Sequence, residues 1–92
     1  MFSLNFRIQF QTYTYRIAKR PMTQYGFQMN KDADHLPTVK NVSFGGAAWM
    51  KLHKNDEIMR INDRPTWNLD QSQINKILEE NQNHIDVTFR RY

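Results

Sequence analysis

The chain has 92 residues, 39% of them hydrophobic and 13% aromatic, with no cysteine and a formal net charge of +4. That is enough apolar matter for one small domain around a single core, and it excludes a disulfide framework and a thiolate metal site. No apolar run nears the roughly 18 residues a membrane-spanning helix requires.

The opening stretch Met1–Arg7 lacks the basic leader of a secretion signal, and Asn5, Arg7 and Gln9 interrupt its apolar positions. With the absence of cysteine, this leads to the expectation of a cytoplasmic protein. The basic residues fall into small groups: Arg16, Lys19 and Arg20, then Lys51 and Lys54, then Arg90 and Arg91. There is no long like-charged run and no nucleic-acid motif, so nucleic acid is not an expected partner. Weak contact with anionic lipid is a secondary reading, and it needs Lys51, Lys54 and Arg60 or Arg64 to converge.

In chain order, Phe2, Leu4, Phe6, Ile8 and Phe10 alternate with polar residues, a strand signal. The phase then slips, because Tyr13, Tyr15 and Ile17 are odd-numbered. This predicts a break near Gln11–Thr14 and a second strand at about Tyr15–Lys19, ended by Pro21. Residues 1–13 are therefore read as an N-terminal extension carrying an extra strand, and 14–92 as the domain.

The next strand is Tyr25–Asn30. Near its start stands Gly26, whose missing Cβ lets the backbone turn tightly and aim successive N–H groups at an anion. The alternating Tyr25, Phe27 and Met29 wall that loop with aromatic and thioether groups. The combination suits a peptide C-terminus: a carboxylate to hold, a side chain to bury and backbone to pair. Asp32, Asp34 and His35 in the following loop match no metal-ligand spacing.

Thr38–Val42 reads as a short strand, Gly45-Gly46 as a break, and Ala47–Met50 as a short helix anchored by Leu52. Glu57–Asn62 is another strand, with Ile58 in the core. Asn55-Asp56 and Asn62-Asp63 flank it as tight turns, since Asn and Asp tolerate positive φ best among non-glycine residues. Pro65 excludes a central sheet position nearby. Asp70 and Gln73 form a capping-box pair that opens a helix to about Glu80. Ile74, Ile77 and Leu78 face the core, and Gln71, Asn75 and Leu78 form an adjacent stripe. His84–Phe89 is the last strand. The fold class is mainly β with two α-helices, a small partly open β-barrel or sandwich with a groove between one strand and the long helix.

Taken together, the ordered features from Thr14 to Arg91 resemble a PDZ domain in the animal-type strand order. They are Arg20, the Tyr25-Gly26-Phe27 loop, Val42 before Gly45-Gly46-Ala47-Ala48, Leu52 before Asn55-Asp56-Glu57-Ile58, Ile61-Asn62-Asp63, and the helix ending in Ile77-Leu78. The resemblance implies a non-catalytic module that takes the C-terminal tail of a partner protein, often a membrane protein, as an added strand. That would place it at the inner face of a membrane through its partners, in scaffolding or targeting for signalling.

It implies that the N–H groups of Tyr25, Gly26 and Phe27 hold the carboxylate, supported by Arg20. Tyr25, Phe27, Met29 and Leu78 would line the terminal pocket. Gln71, with Asn75, would read the residue two before the end, and Gln24 and Gln28 complete the peptide-binding set. The sequence departs from the family at Gln24, Asn55 and Asp63, where the family carries glycine, and at Lys51, where a glycine closes the first helix. Gln71 can donate and accept, so it leaves the ligand class open.

An enzyme is not expected. Ser3, Ser43 and Ser72 lie in no nucleophile motif, and His35, His53 and His84 are separated without metal spacing. No cofactor and no metal is implied. The rival reading is a homodimer formed through the apolar strand Phe2–Phe10.

Overall fold

The computed structural model describes residues 9–32 and 34–92. Apart from Gln9 and Phe10, which are not in a strand, the expected strand Phe2–Phe10 lies outside them. Six strands and one helix follow in order: β1 (Gln11–Ala18), β2 (Phe27–Asn30), β3 (Thr38–Val42), β4 (Glu57–Ile61), β5 (Arg64–Pro65), α1 (Gln71–Glu80) and β6 (His84–Arg91). The strands form one antiparallel sheet in the order β1-β6-β4-β3-β2, with β5 paired to β4. The sheet is open, and β1 and β2 are its two ends.

β1 corrects the expected break at Gln11–Thr14. It pairs without interruption with β6, from Gln11↔Arg91 to Ala18↔His84. The phase slip falls between Phe10 and the strand, so every residue of β1 keeps one alternation. Tyr13 stacks on Phe89 with ring centroids 5.4 Å apart, and Ile17 is fully buried. β1 thus runs through position 13, where the sequence reading divides extension from domain.

The core is filled from the sheet by Ile17, Val39, Ile58, Ile61, Ile85, Val87 and Phe89, and from the helix by Ile74 and Ile77. α1 begins as its sequence dictates. The Asp70 carboxylate accepts from the Gln73 N–H at 2.8 Å, and the Gln73 side chain accepts from the Asp70 N–H at 2.9 Å. This reciprocal cap fixes where the helix starts and hence which residues face the sheet.

The second expected helix, Ala47–Met50, is a turn. Trp49 N–H bonds to the Gly46 carbonyl and Lys51 N–H to the Ala48 carbonyl, both three residues back; only Leu52 N–H reaches four back, to Ala48. A single four-back bond does not propagate a helix, and Met50, at φ 69°, ends the turn in the left-handed region. That conformation favours glycine, and it falls at Met50, one residue before Lys51. The other two glycine replacements are left-handed as expected, with φ of 76° at Asn55 and 66° at Asp63. In the turn before β2 the left-handed residues are Met22 and Gly26, not Gln24.

Candidate functional site

The free edge of β2 is where the sheet and the helix leave a groove. Phe27 is opposite Val42, and the Ser43 N–H donates to the Gly26 carbonyl at 2.8 Å. In an antiparallel ladder this makes Phe27–Val42 a pair without mutual hydrogen bonds, so the N–H and carbonyl of Phe27 point away from β3. Among the described residues β2 has no strand on that side.

The loop before β2 is built from the neighbouring glycine-rich turn. The Tyr25 carbonyl accepts from the Ala48 N–H at 3.1 Å, as the Gly26 carbonyl does from Ser43. Both carbonyls therefore face the Ser43–Ala48 segment. Every peptide bond in the described chain is trans, and a trans peptide sets its N–H opposite its carbonyl. The N–H groups of Gly26 and Phe27 accordingly point the other way, toward the mouth of the groove.

Gly26 has φ 83°, and a Cβ there would lie 3.3 Å from the Gly46 Cα. Both the left-handed backbone and the close approach require glycine. The loop is thus a pair of parallel-pointing N–H donors held from behind by backbone, an arrangement that attracts an anion.

Two continuous cavities make up the groove. The one at the mouth, of about 250 Å³, lies between Lys19, Thr23, Gln24, Tyr25 and Phe27 on one side and Asn75, Leu78, Glu79 and Gln82 on the other. The second, of about 270 Å³, runs along β2 past Gln28, Met29 and Asn30, with Lys40 beside it and Gln71 on the helix. They share Phe27, Asn75 and Leu78.

Tyr25 is only 4% exposed. Its hydroxyl donates to the carbonyl of Asn81, the C-cap residue of α1, and burial raises the pKa of its phenol. Its ring carries the Lys19 ammonium 5.0 Å from the centroid, and that ammonium also donates to the Gln82 carbonyl at 2.9 Å. At the other end of the groove, the Gln71 amide donates to the Asn75 side-chain oxygen at 3.1 Å.

The residues singled out in the sequence are distributed along this groove. Gln24, Tyr25 and Phe27 stand at the mouth, Asn75 and Leu78 border both cavities, and Gln28, Met29 and Gln71 line the second. Met29 is mostly core, 8% exposed. Arg20 lines neither cavity; its carbonyl accepts from the Thr23 N–H and hydroxyl. Lys19, one residue earlier, is the cation at the mouth.

Glu79 and Gln82 were legible in principle, since they continue the Gln71–Asn75–Leu78 stripe by one turn. Lys40 was not. It is the extra residue where the β2–β3 register shifts between Gln28 and Met29, and bulges re-aim side chains in a way the sequence does not announce. Among the described residues, no three His, Asp or Glu side chains gather so as to hold a metal ion.

The comparisons with known proteins agree with this geometry. Human FERM and PDZ domain containing 1 has a PDZ domain similar to this chain at 26% identity, with TM-score 0.74 over 90% of this chain and 85% of that one. The fifth PDZ domain of InaD matches at 13% identity, with TM-score 0.77 over 89% and 98%. The PDZ domain of choanoflagellate SHANK1, solved bound to a GIRK3 peptide, matches at 16% identity, with TM-score 0.80 over 91% and 96%. No curated protein matches by sequence. The family model for the PDZ domain matches residues 15–90, nearly the whole of the described fold, and the chain therefore belongs to the PDZ family.

Proposed function

We propose that this protein-interaction module binds the C-terminal tail of partner proteins, taken as an antiparallel strand along the free edge of β2. The observation that carries the reading is that edge itself. It faces α1, and at one end the N–H groups of Gly26 and Phe27 converge where a terminal carboxylate would sit. The peptide held by the SHANK1 domain, a similar fold, supports a peptide ligand. PDZ domains are in general non-catalytic, and this module acts by binding alone.

The mouth cavity takes a medium aliphatic last residue (Val, Leu or Ile) between Phe27 and Leu78. The Gln71 amide spends one N–H on Asn75, which leaves its oxygen as an acceptor and its second N–H as a donor. This suits a hydroxyl such as Ser or Thr, which can do both, two residues before the end. A few ligand residues bury little area, so affinity is micromolar, on the order of −8 kcal/mol. In the cell the module serves scaffolding or targeting at the cytoplasmic face of a membrane, through membrane-protein tails.

The test is a screen of random peptides with free C-termini against their amidated forms. A shared terminal motif lost on amidation supports the reading; equal binding of both forms overturns it.

Self-association is a second reading, favoured by one observation. β1 is the other end of the sheet, and its outer edge has no strand partner among the described residues. Sedimentation of the wild type over a concentration series decides it: a dimer that grows with concentration supports the reading, and a monomer throughout overturns it.

A further inference from the structure

The groove does not end at Gln71. A larger cavity, of about 410 Å³, opens beyond it between Lys31 and Asp34 of the β2–β3 loop and Trp67, Leu69 and Asp70 of the segment leading into α1. Gln71 lines both this cavity and the groove, so the two are neighbours along the same side of α1.

The cavity is preformed by a single ammonium. Lys31 Nζ donates to the carbonyls of Asp32 at 2.9 Å, His35 at 2.6 Å and Trp67 at 3.0 Å. All three of its donors are used, and the last of them ties the β2–β3 loop to the opposite wall. That wall presents Trp67, whose side chain is outside the core and 63% exposed. Among the described residues no aromatic ring or cation stacks on it.

The charged lining is Asp34, Asp70 and Lys31. The Asp70 cap uses only one carboxylate oxygen, Oδ1, for Ser72 and Gln73. Two carboxylates and one ammonium thus line the cavity, and the ammonium is already surrounded by carbonyl oxygens, so the balance favours a cation.

The occupant follows from register. A strand added antiparallel to β2, with its last residue at Phe27, passes β2 one residue for one. It reaches Lys31 with the residue about four before its end, and the cavity with residues about four to six before it. We propose that this cavity is an upstream subsite for the same peptide, selecting an arginine there whose guanidinium stacks on the Trp67 indole and pairs with Asp34. The planar guanidinium suits an indole face and a carboxylate together better than an ammonium does. The inference rests on the proposed tail-binding function and adds a length and a charge requirement to it.

The experiment uses fluorescein-labelled octapeptides ending Ala-Thr-Ala-Val, with Arg, Leu or Glu at the fifth residue from the end, and the tetrapeptide Ala-Thr-Ala-Val. Binding is measured by anisotropy to wild type, Trp67→Ala and Asp34→Asn, both substitutions lying at exposed side chains. The expected result is Arg tighter than Glu by about 5- to 10-fold on wild type. That gap narrows in both variants, while the tetrapeptide binds all three proteins equally. Equal affinities for the three octapeptides, a Leu peptide as tight as the Arg peptide, or a gap that survives both substitutions overturns the subsite. If neither tetrapeptide nor octapeptides bind, the groove reading falls and the inference with it.

Discussion

The hydroxyl of Tyr25 donates to the carbonyl of Asn81, and this bond joins the glycine loop before β2 to the end of the helix that forms the opposite wall of the groove. Tyr25 therefore ties the two walls of the mouth together as well as lining it, alongside the bonds from Lys19 and Met22 to Gln82. Tyr25→Phe should lower stability by about 1 kcal/mol in urea denaturation and weaken peptide binding severalfold by releasing the helix end. Burial raises the phenol's pKa. The wild type should thus lose stability as pH rises above about 10, where the unfolded chain ionises first. The variant should lose less over that range.

Gly26 and Gly46 meet through bare backbone, and a Cβ on Gly26 would also lie 3.4 Å from the Ala47 nitrogen. Gly26→Ala combines that crowding with a left-handed φ of 83°, which costs about 1–2 kcal/mol for a residue with a side chain. The expected outcome is a destabilised fold and loss of peptide binding greater than the stability loss explains, checked by denaturation and anisotropy on the same samples.

Lys19 and Arg20 separate two explanations of carboxylate capture. Lys19 lines the mouth cavity and Arg20 does not. Lys19→Met should weaken binding of a free-carboxylate peptide by about 3- to 10-fold and reduce its salt dependence. Arg20→Met should leave both close to wild type. The reverse order would return the role to Arg20.

Asp56 is 1% exposed and accepts from Arg91 through both carboxylate oxygens at 2.8 Å, and from the His53 N–H at 2.7 Å. The pair pins the end of β6 to the turn before β4, far from the groove. Arg91→Met leaves a buried carboxylate without its counter-charge and should cost about 3 kcal/mol. Peptide affinity of the folded fraction should be unchanged, which a thermal melt and a titration below the melting range would show together.

Two carboxylates contribute to the acid limb. Hydrogen bonds from the Gln73 N–H and the Ser72 hydroxyl lower the pKa of Asp70, and the Arg16 guanidinium lowers that of Asp86. A depressed folded pKa contributes stability that is present above the unfolded value, about 3.9, and is lost as pH falls through the folded value. Stability from these groups should be flat between pH 5 and 7 and fall below about pH 4. Asp70→Asn, which keeps a capping oxygen, should make the acid limb shallower in pH-dependent melts.

Much of this architecture is written in local patterns. The Asp70–Gln73 cap and the Ile74–Ile77 spacing define α1 without reference to the rest of the chain, because capping and helical periodicity involve residues within one or two turns. Asn55, Asn62 and Asp63 announce left-handed turns for the same reason. Ala47–Met50 misleads because its composition favours a helix, while its backbone answers to Tyr25, whose carbonyl the Ala48 N–H reaches at 3.1 Å. The Gln11–Thr14 break misleads because a phase slip marks where alternation changes, and not whether a strand begins before or after it.

The sequence by itself determined the family, the helix and its groove-facing stripe, and the glycine loop before β2, since each depends on neighbours along the chain. Only the tertiary structure decided that β2 is left at the sheet's edge facing α1, that Lys19 rather than Arg20 reaches the mouth, and that Lys31 clips its own loop to Trp67. Those outcomes depend on contacts between residues far apart in sequence, such as the 36-residue separation of Lys31 and Trp67. No local preference encodes a meeting that exists only once the sheet and the helix have packed around their core.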